Sequence, residues 1–394
     1  MKIARFTAWH VVIPLKRTVR HASHVRRSTD NFVVKCELQD GTVGWGESVP
    51  RSYVTGDTIE SVCEMFRHAD FGTVFGGSLA IDETLGRIAA WIPQPGANGS
   101  DMRDCFGNCL KCAIELSVLD AVGRHSECSV SALIRRIPGA APILKQSKQV
   151  QYSTAVTTMK PRKQIMQALL MRGYGFRQIK LKVGAEGIDD HAMLQRVRRL
   201  VGKNMDLRVD ANEAWRPADV EGLTEPLLPY GISSLEQPVP HAEVEQLKDV
   251  RRNLSLPVML DESLCSTGDA RRAIQGETCD LFNIRISKCG GIVDSVRLAM
   301  MAHAAGLGYQ LGCQVGESGI LSAAGRHLAC SIDGIRYLEG SFDSHLVRER
   351  LTKQNLTFGY GGKANAISGD GLGVDIDESA VQRIAKWTDV STVS

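Results

Sequence analysis

Asp210, Glu236 and Asp261 each close a short apolar run, and they follow one another at intervals of 26 and 25 residues. An interval of that length holds one strand, one helix and two connections, so the rhythm predicts a repeating βα architecture with the three acids at equivalent strand ends. Lys180-Leu181-Lys182 precedes the series and Lys288 follows it. The pattern gathers one oxygen-rich site between two amine bases.

From about Gln151 the chain alternates strand and helix patterns. Candidate strands are QYSTAV, FRQIKLKV, DLRVDA, ISSLEQP, PVMLDES, LFNIRIS, GYQLGC and IRYLEG, with amphipathic helices such as DDHAMLQRVRRLVG and VDSVRLAMMAHAAG between several of them. Eight such strands match a β/α barrel, expected over residues 126–346. A doubly wound open sheet accounts less well for polar groups at nearly every strand end. Residues 1 to about 50 instead alternate apolar and polar positions, with a hairpin expected at Asp40-Gly41. Helical patterns follow from about Thr58 to Arg124, so residues 1–125 read as a separate α+β module. After Leu346 the glycine-rich tail, residues 347–394, is expected to loop back to that module, with ESAVQRIAKW as a short terminal helix.

Lys+Arg 47 against Asp+Glu 44 leaves a formal charge of +3, too small to imply nucleic-acid binding, and a diffusible small molecule is the simpler partner. No apolar run approaches the length of a membrane span. The N-terminal stretch MKIARFTAWHVVIPLK is broken by polar residues and no small-residue cleavage pattern follows, so the expectation is a first strand and a cytoplasmic protein. Cys105, Cys109 and Cys112 sit at helical offsets, and most of the other cysteines fall in apolar runs. Reduced cysteines are expected in place of disulfides or a zinc cluster. Asn355-Leu356-Thr357 matches a glycosylation triplet that carries no weight without a secretory signal.

Carboxylates at one end of three adjacent parallel strands offer the hard oxygen ligands that Mg²⁺ prefers and leave positions for water and substrate; Mn²⁺ is the alternative ion. Lys180 and Lys182, two apart on a strand, face the same side. Repulsion between neighbouring ammonium groups favours a neutral amine on one of them, which makes Lys182 the candidate base and Lys180 the stabiliser of developing negative charge. Lys288 approaches from the other side. A base on each face of one carbon removes a proton α to a carboxylate and returns it on the opposite face, with an enediolate between the two steps. The same apparatus also serves elimination or lactone chemistry.

At these residues the chain resembles the enolase superfamily, specifically the muconate lactonizing enzyme subgroup. The resemblance rests on GWGE, Lys180-x-Lys182, Asp210-x-Asn212, Glu236-Gln237-Pro238, Asp261-Glu262-Ser263 and Lys288, and covers nearly the whole chain. It implies a modified (β/α)7β barrel of the TIM type with an N-terminal capping domain, Mg²⁺ held by Asp210, Glu236 and Asp261, proton exchange by Lys182 and Lys288, and a homo-oligomer. It further implies that Asn212 and Glu262 orient ligands or Lys288, and that Glu317 contacts substrate, although Gly316 adds a residue to the spacing expected around it. His21 to Arg27 and Arg51 to Thr55 become lid elements, with Arg26 and Tyr53 as substrate contacts. Asp343 stands where related dipeptide epimerases often carry an Asp-x-Asp pair, and receives an amine or hydroxyl in this reading. The function implied is a Mg²⁺-dependent racemase or epimerase acting on an amino-acid derivative or dipeptide. A muconate-type cycloisomerase, an o-succinylbenzoate synthase-like lyase and a catalytically silent metal-binding scaffold are the alternatives.

Overall fold

A computed structural model of the chain describes residues 1–20, 25–78, 80–94, 103–156 and 160–393. The N-terminal strands β1 (Ile3–Arg20), β2 (Val25–Leu38) and β3 (Val43–Ser48) form an antiparallel meander. The β2–β3 turn is the expected one: Gly41 takes φ +89°, and Asp40 Oδ1 accepts from Thr42 N at 2.9 Å. Phe6, Ala8, Val11, Ile13, Phe32 and Val34 are fully buried. They pack under helices that include Ile59–His68 and Asn108–His125. The second of these is buried nearly all round. Gly44 and Gly46 let it lie directly on β3, since a Cβ at either would fall 2.1 Å from Ala121 N or 2.0 Å from Ala113 O. All eleven cysteines are free; Cys109 and Cys112 lie in this apolar layer, and Cys105 is buried with Val54 and Cys265.

After a short strand β4 (Gln149–Gln151), eight parallel strands follow: β5 (Thr154–Val156), β6 (Gln178–Lys182), β7 (Asp206–Asp210), β8 (Ile232–Glu236), β9 (Val258–Leu260), β10 (Leu281–Ile284), β11 (Gly308–Leu311) and β12 (Ile335–Leu338). They are hydrogen-bonded in sequence order, and the two ends of the sheet meet where Ser153 N donates to Leu338 O at 2.7 Å. Each of the eight expected strands is present, and the helical crossovers between them give the (β/α)7β barrel with its separate N-terminal sheet. Alternation assigns the faces: Ile179 and Leu181 are buried among the apolar core, while Lys180 and Lys182 stand in register with Arg208 and Asp210. Among the described residues no helix is long and apolar enough to cross a membrane.

Beyond β12 a four-residue helix, Asp343–Leu346, replaces a full eighth helix. Strand β13 (Lys363–Asn365) pairs with β4. A helix over Glu378–Ile384 then gives way to β14 (Ala385–Thr392), which adds to the free edge of β1. The sequence reading carried that helix through Trp387. The edge of β1 takes the end of it as a strand instead, with Trp387 stacked on Phe32 and covered by the Arg67 guanidinium.

Gly46→Ala would drive a Cβ into the backbone of the long cap helix, and the expected loss is about 2–3 kcal/mol of stability, measured as a lowered urea midpoint of the purified protein.

Candidate active site

The three acids meet at one end of the barrel because the register places them there. Lys182 pairs with Asp210 across β6–β7, Asp210 pairs with Glu236 across β7–β8, and Asp261 follows β9 immediately. All three are buried. Lys180 lies among them, its Nζ 3.3 Å from Asp210 Oδ2, 3.2 Å from both Glu236 oxygens and 2.9 Å from Glu339 Oε1. Burial by itself lowers the Lys180 pKa, but Glu236, Glu339 and Asp210 outweigh it and hold the ammonium firmly charged. Glu339 also accepts from Arg208, whose guanidinium lies over the Tyr337 ring. Burial would raise the Glu339 carboxyl, yet Lys180 and Arg208 together keep it well below the usual range.

Lys182 behaves in the opposite sense. Its burial, reinforced by the charge on Lys180, pulls its pKa below the ordinary lysine value, with Asp210 working against the shift. Its Nζ donates to Asn212 Oδ1 at 2.5 Å. Asn212 adopts φ +46°, and its N–H donates to Asp210 Oδ1 at 3.0 Å, so the turn after β7 aims the amide at the lysine. Lys288 is fully buried on the other side, where Nζ donates to Asp261 O at 2.6 Å, Asp261 Oδ1 at 2.8 Å and Asn283 O at 2.8 Å. Burial lowers its pKa as well. Glu262, buried near Asp210, is pushed up to about 8, chiefly by desolvation. Gln237 ties the motifs together: its Oε1 accepts from Asp261 N at 2.8 Å and its Nε2 donates to Ser263 Oγ at 2.6 Å.

Chemically the donor set suits a hard divalent ion, with three buried carboxylates and no histidine or sulfur ligand. Asp261 Oδ2 is buried without a hydrogen bond, against the Arg285 guanidinium. Among the described residues no three His, Cys, Asp or Glu side chains converge as a ready cage, and Lys180, Arg285 and Lys288 answer the negative charge instead. These residues fit Mg²⁺, provided that Arg285 withdraws from Asp261.

A cavity of about 880 Å³ opens above this cluster, lined in part by Lys180, Lys182, Asp210, Asn212, Glu262, Tyr53 and Glu317. Glu236, Asp261 and Lys288 lie behind its wall. Arg26 sits over the Tyr53 ring at 5.6 Å, while His21 to His24 of the expected lid lie outside the described residues. Glu317 lies on the loop after β11, pushed up to about 8 mainly by burial, with its Oε1 accepting from Gln314 N at 2.6 Å. Asp343 is a correction. It is buried off the cavity, its Oδ1 taking the Ser322 hydroxyl at 2.5 Å, because the chain after β12 turns into the Asp343–Leu346 helix. Glu339, at the very end of β12, occupies the cavity wall that the sequence reading gave to Asp343. Arg285 and Arg208 were missed too. Their signal was strand alternation, since Arg208 shares the face of Asp210 and Arg285 directly follows β10.

Residues 163–380 match the family described as enolase C-terminal domain-like. A hydrophobic dipeptide epimerase of Enterococcus faecalis is 29% identical over 334 residues, covering 84% of this chain and 88% of that protein. Its structure with Mg and the dipeptide L-Leu-L-Tyr superposes with a TM-score of 0.80, covering 95% of this chain and 100% of that one, at 26% identity. An N-succinyl-L-Arg/Lys racemase of Bacillus cereus is 27% identical over 398 residues, 99% of this chain and 100% of that protein, and its structure gives a TM-score of 0.87. The fold is also that of muconate lactonizing enzyme from Pseudomonas fluorescens, with TM-score 0.84, 23% identity and coverage of 98% and 99%.

Lys180→Met leaves Glu236 and Glu339 buried without their shared ammonium. The expected cost is about 3–5 kcal/mol of unfolding free energy, read by denaturant titration, with part of it recovered on adding Mg²⁺.

Proposed function

Because the chain belongs to the enolase C-terminal domain-like family, and so to the enolase superfamily, we propose that it is a Mg²⁺-dependent racemase or epimerase acting at the carbon α to a carboxylate. The observation that carries this reading is the pair of lysines set on opposite sides of one acidic cluster, Lys182 half-buried beside Asn212 in the cavity and Lys288 fully buried behind Asp261. Asp210, Glu236 and Asp261 would hold the ion. When bound, Mg²⁺ supplies the positive charge that makes loss of the α-proton affordable beside a carboxylate. Lys182, its pKa lowered by burial with Lys180 adding to the shift, takes the proton on one face. Asn212 orients that amine. Lys288 exchanges its bond to Asp261 for the substrate and serves the opposite face, with Glu262 alongside. Lys180 keeps its charge and balances the acids throughout.

The substrate class follows from what the cavity offers. Glu339 is taken by Lys180 and Arg208, and Asp343, which keeps one oxygen unpartnered, does not line the cavity, so the end of β12 presents no unengaged carboxylate there to an α-ammonium group. Arg17, Lys160 and Lys163 line the mouth. An amino-acid derivative with an acylated nitrogen therefore fits better than a dipeptide with a free amino end, with Arg26 and Tyr53 near its outer part. Mn²⁺ as an alternative ion and a cytoplasmic location complete the proposal, together with a homo-oligomer, for which exposed Met166, Leu169 and Leu170 offer an apolar face. A cycloisomerase or synthase would use one lysine as base and the other as an electrostatic group.

In D₂O with Mg²⁺, NMR should show α-proton exchange with loss of chirality on N-acyl amino acids, abolished by EDTA. Lys182→Ala should lower exchange from one enantiomer by about 10²–10⁴-fold while leaving a measurable exchange from the other; full turnover in that variant would remove Lys182 as a base. Since the neutral amine is the active form, kcat/KM should rise with pH, with a midpoint below the ordinary lysine value of 10.5.

A further inference from the structure

The loop that carries Glu317 is not held by the barrel alone. Three buried side chains of the N-terminal module reach it, two from the sheet and Arg51 from just beyond β3. Asn31 Nδ2 donates to Gly316 O at 2.9 Å and to Glu47 Oε1 at 2.5 Å. Arg51 Nη2 donates to Val315 O at 2.7 Å and to Thr29 Oγ1 at 2.9 Å, and Thr29 Oγ1 in turn donates to Asn31 Oδ1 at 2.8 Å. Glu47, the last residue of GWGE, accepts from Ser318 N at 2.9 Å, Ser318 Oγ at 2.7 Å and Leu321 N at 3.0 Å. Asn31, Glu47 and Arg51 are 0–2% exposed.

Burial pushes the Glu47 carboxyl up, and the donors of Ser318, Asn31 and Leu321 work against that shift. Ser318 caps the helix Gly319–Ser331, and the Glu47 carboxylate sits against the unpaired N–H groups of its first turn, where negative charge is stabilised. Gly316 belongs to the same contact. It takes φ +95° and passes so close to β2 that a Cβ on it would lie 2.5 Å from Thr29 Cβ. Glycine at this position lets the loop approach the cap sheet and present its carbonyl to Asn31. The loop's backbone, from Val315 O through Gly316 O to Ser318 N, is gripped from the cap on either side of Glu317.

We propose that Asn31, Glu47 and Arg51 are positioning residues for Glu317: they fix the Val315–Ser318 loop so that this carboxyl stands in the cavity, and they make substrate engagement depend on how the cap sheet is seated. This rests on the reading of the cavity as the place of proton exchange, with Glu317 touching the substrate. The three residues touch no reacting atom and act through the loop.

A double-mutant cycle separates positioning from bulk structure. Glu47→Gln keeps the size of the side chain but turns one acceptor into a donor facing Ser318 and Leu321, and is expected to lower kcat/KM for α-proton exchange by about 10–100-fold, the scale of a misplaced contact. In a Glu317→Gln background the same change should cost less than about 3-fold, because the group it positions is already altered. Asn31→Ala, which keeps Glu47 at the helix terminus, should repeat the pattern if Glu47→Gln folds poorly. Losses that multiply in full would overturn the proposal, as would unchanged activity in the single variants. Amide hydrogen exchange on the free proteins gives a reading independent of any substrate. Glu47→Gln should speed exchange across residues 314–321 and leave β6 protected, and an unchanged loop would overturn the proposal. Absence of turnover in the wild type together with a loosened loop would sink the assigned activity and spare the mechanical link.

Discussion

One ammonium group makes the mouth of this barrel feasible. Lys180 is buried within hydrogen-bonding or ion-pairing distance of Asp210, Glu236 and Glu339, and without a cation there the three carboxylates could not remain ionised together in a dry interior. The same charge conditions its neighbour. Lys182 stands two residues further along β6, where burial and the field of Lys180 lower its pKa, so the strand carries one lysine shifted up by its acids and one shifted down. A single dipeptide repeat thereby yields two amines of opposite character, and the difference comes from which of them the acids surround.

The second constraint is the way the antiparallel module is fastened to the barrel. Its carboxylates enter barrel helices at their N-termini: Glu47 binds the start of Gly319–Ser331, and Glu115 accepts from Val293 N at 2.9 Å at the start of Ile292–Ala304. Gly291 has no side chain where a Cβ would meet the Glu115 carboxyl at 2.4 Å. Asn108, from the same long helix as Glu115, donates to Lys288 O and to Cys265 O, both at 2.8 Å. The module therefore touches the backbone of one proposed catalytic lysine and of the Glu317 loop at once. It is better described as part of the frame of the site than as a cover over it.

Much of this was legible in the sequence because strand period and strand-end chemistry coincide. Eight short apolar runs with polar termini could be placed in one barrel, and GWGE was among the motifs that carried the family resemblance. What stayed hidden depends on where the chain goes after a strand ends. Asp343 looked like the acid of the last strand, but a turn at Ser341, φ +53°, sends it into a short helix and leaves Glu339 facing the cavity. Arg285 directly follows an apolar run, and its approach to Asp261 comes from the register of the neighbouring strands β9 and β10. β14 was hidden for a different reason: the expected helix runs straight into it, its last three residues are taken by an unpaired sheet edge, and no local pattern announces that partner.

That last pairing bears on how the molecule comes into being. β1 precedes the barrel in the chain and β14 follows it, so the sheet that grips the Glu317 loop is closed along that edge only after the barrel has been made. Synthesis runs in one direction, and β1 must wait, with one edge bare, until its outer neighbour emerges. The grip on the loop is thus completed later than the loop itself.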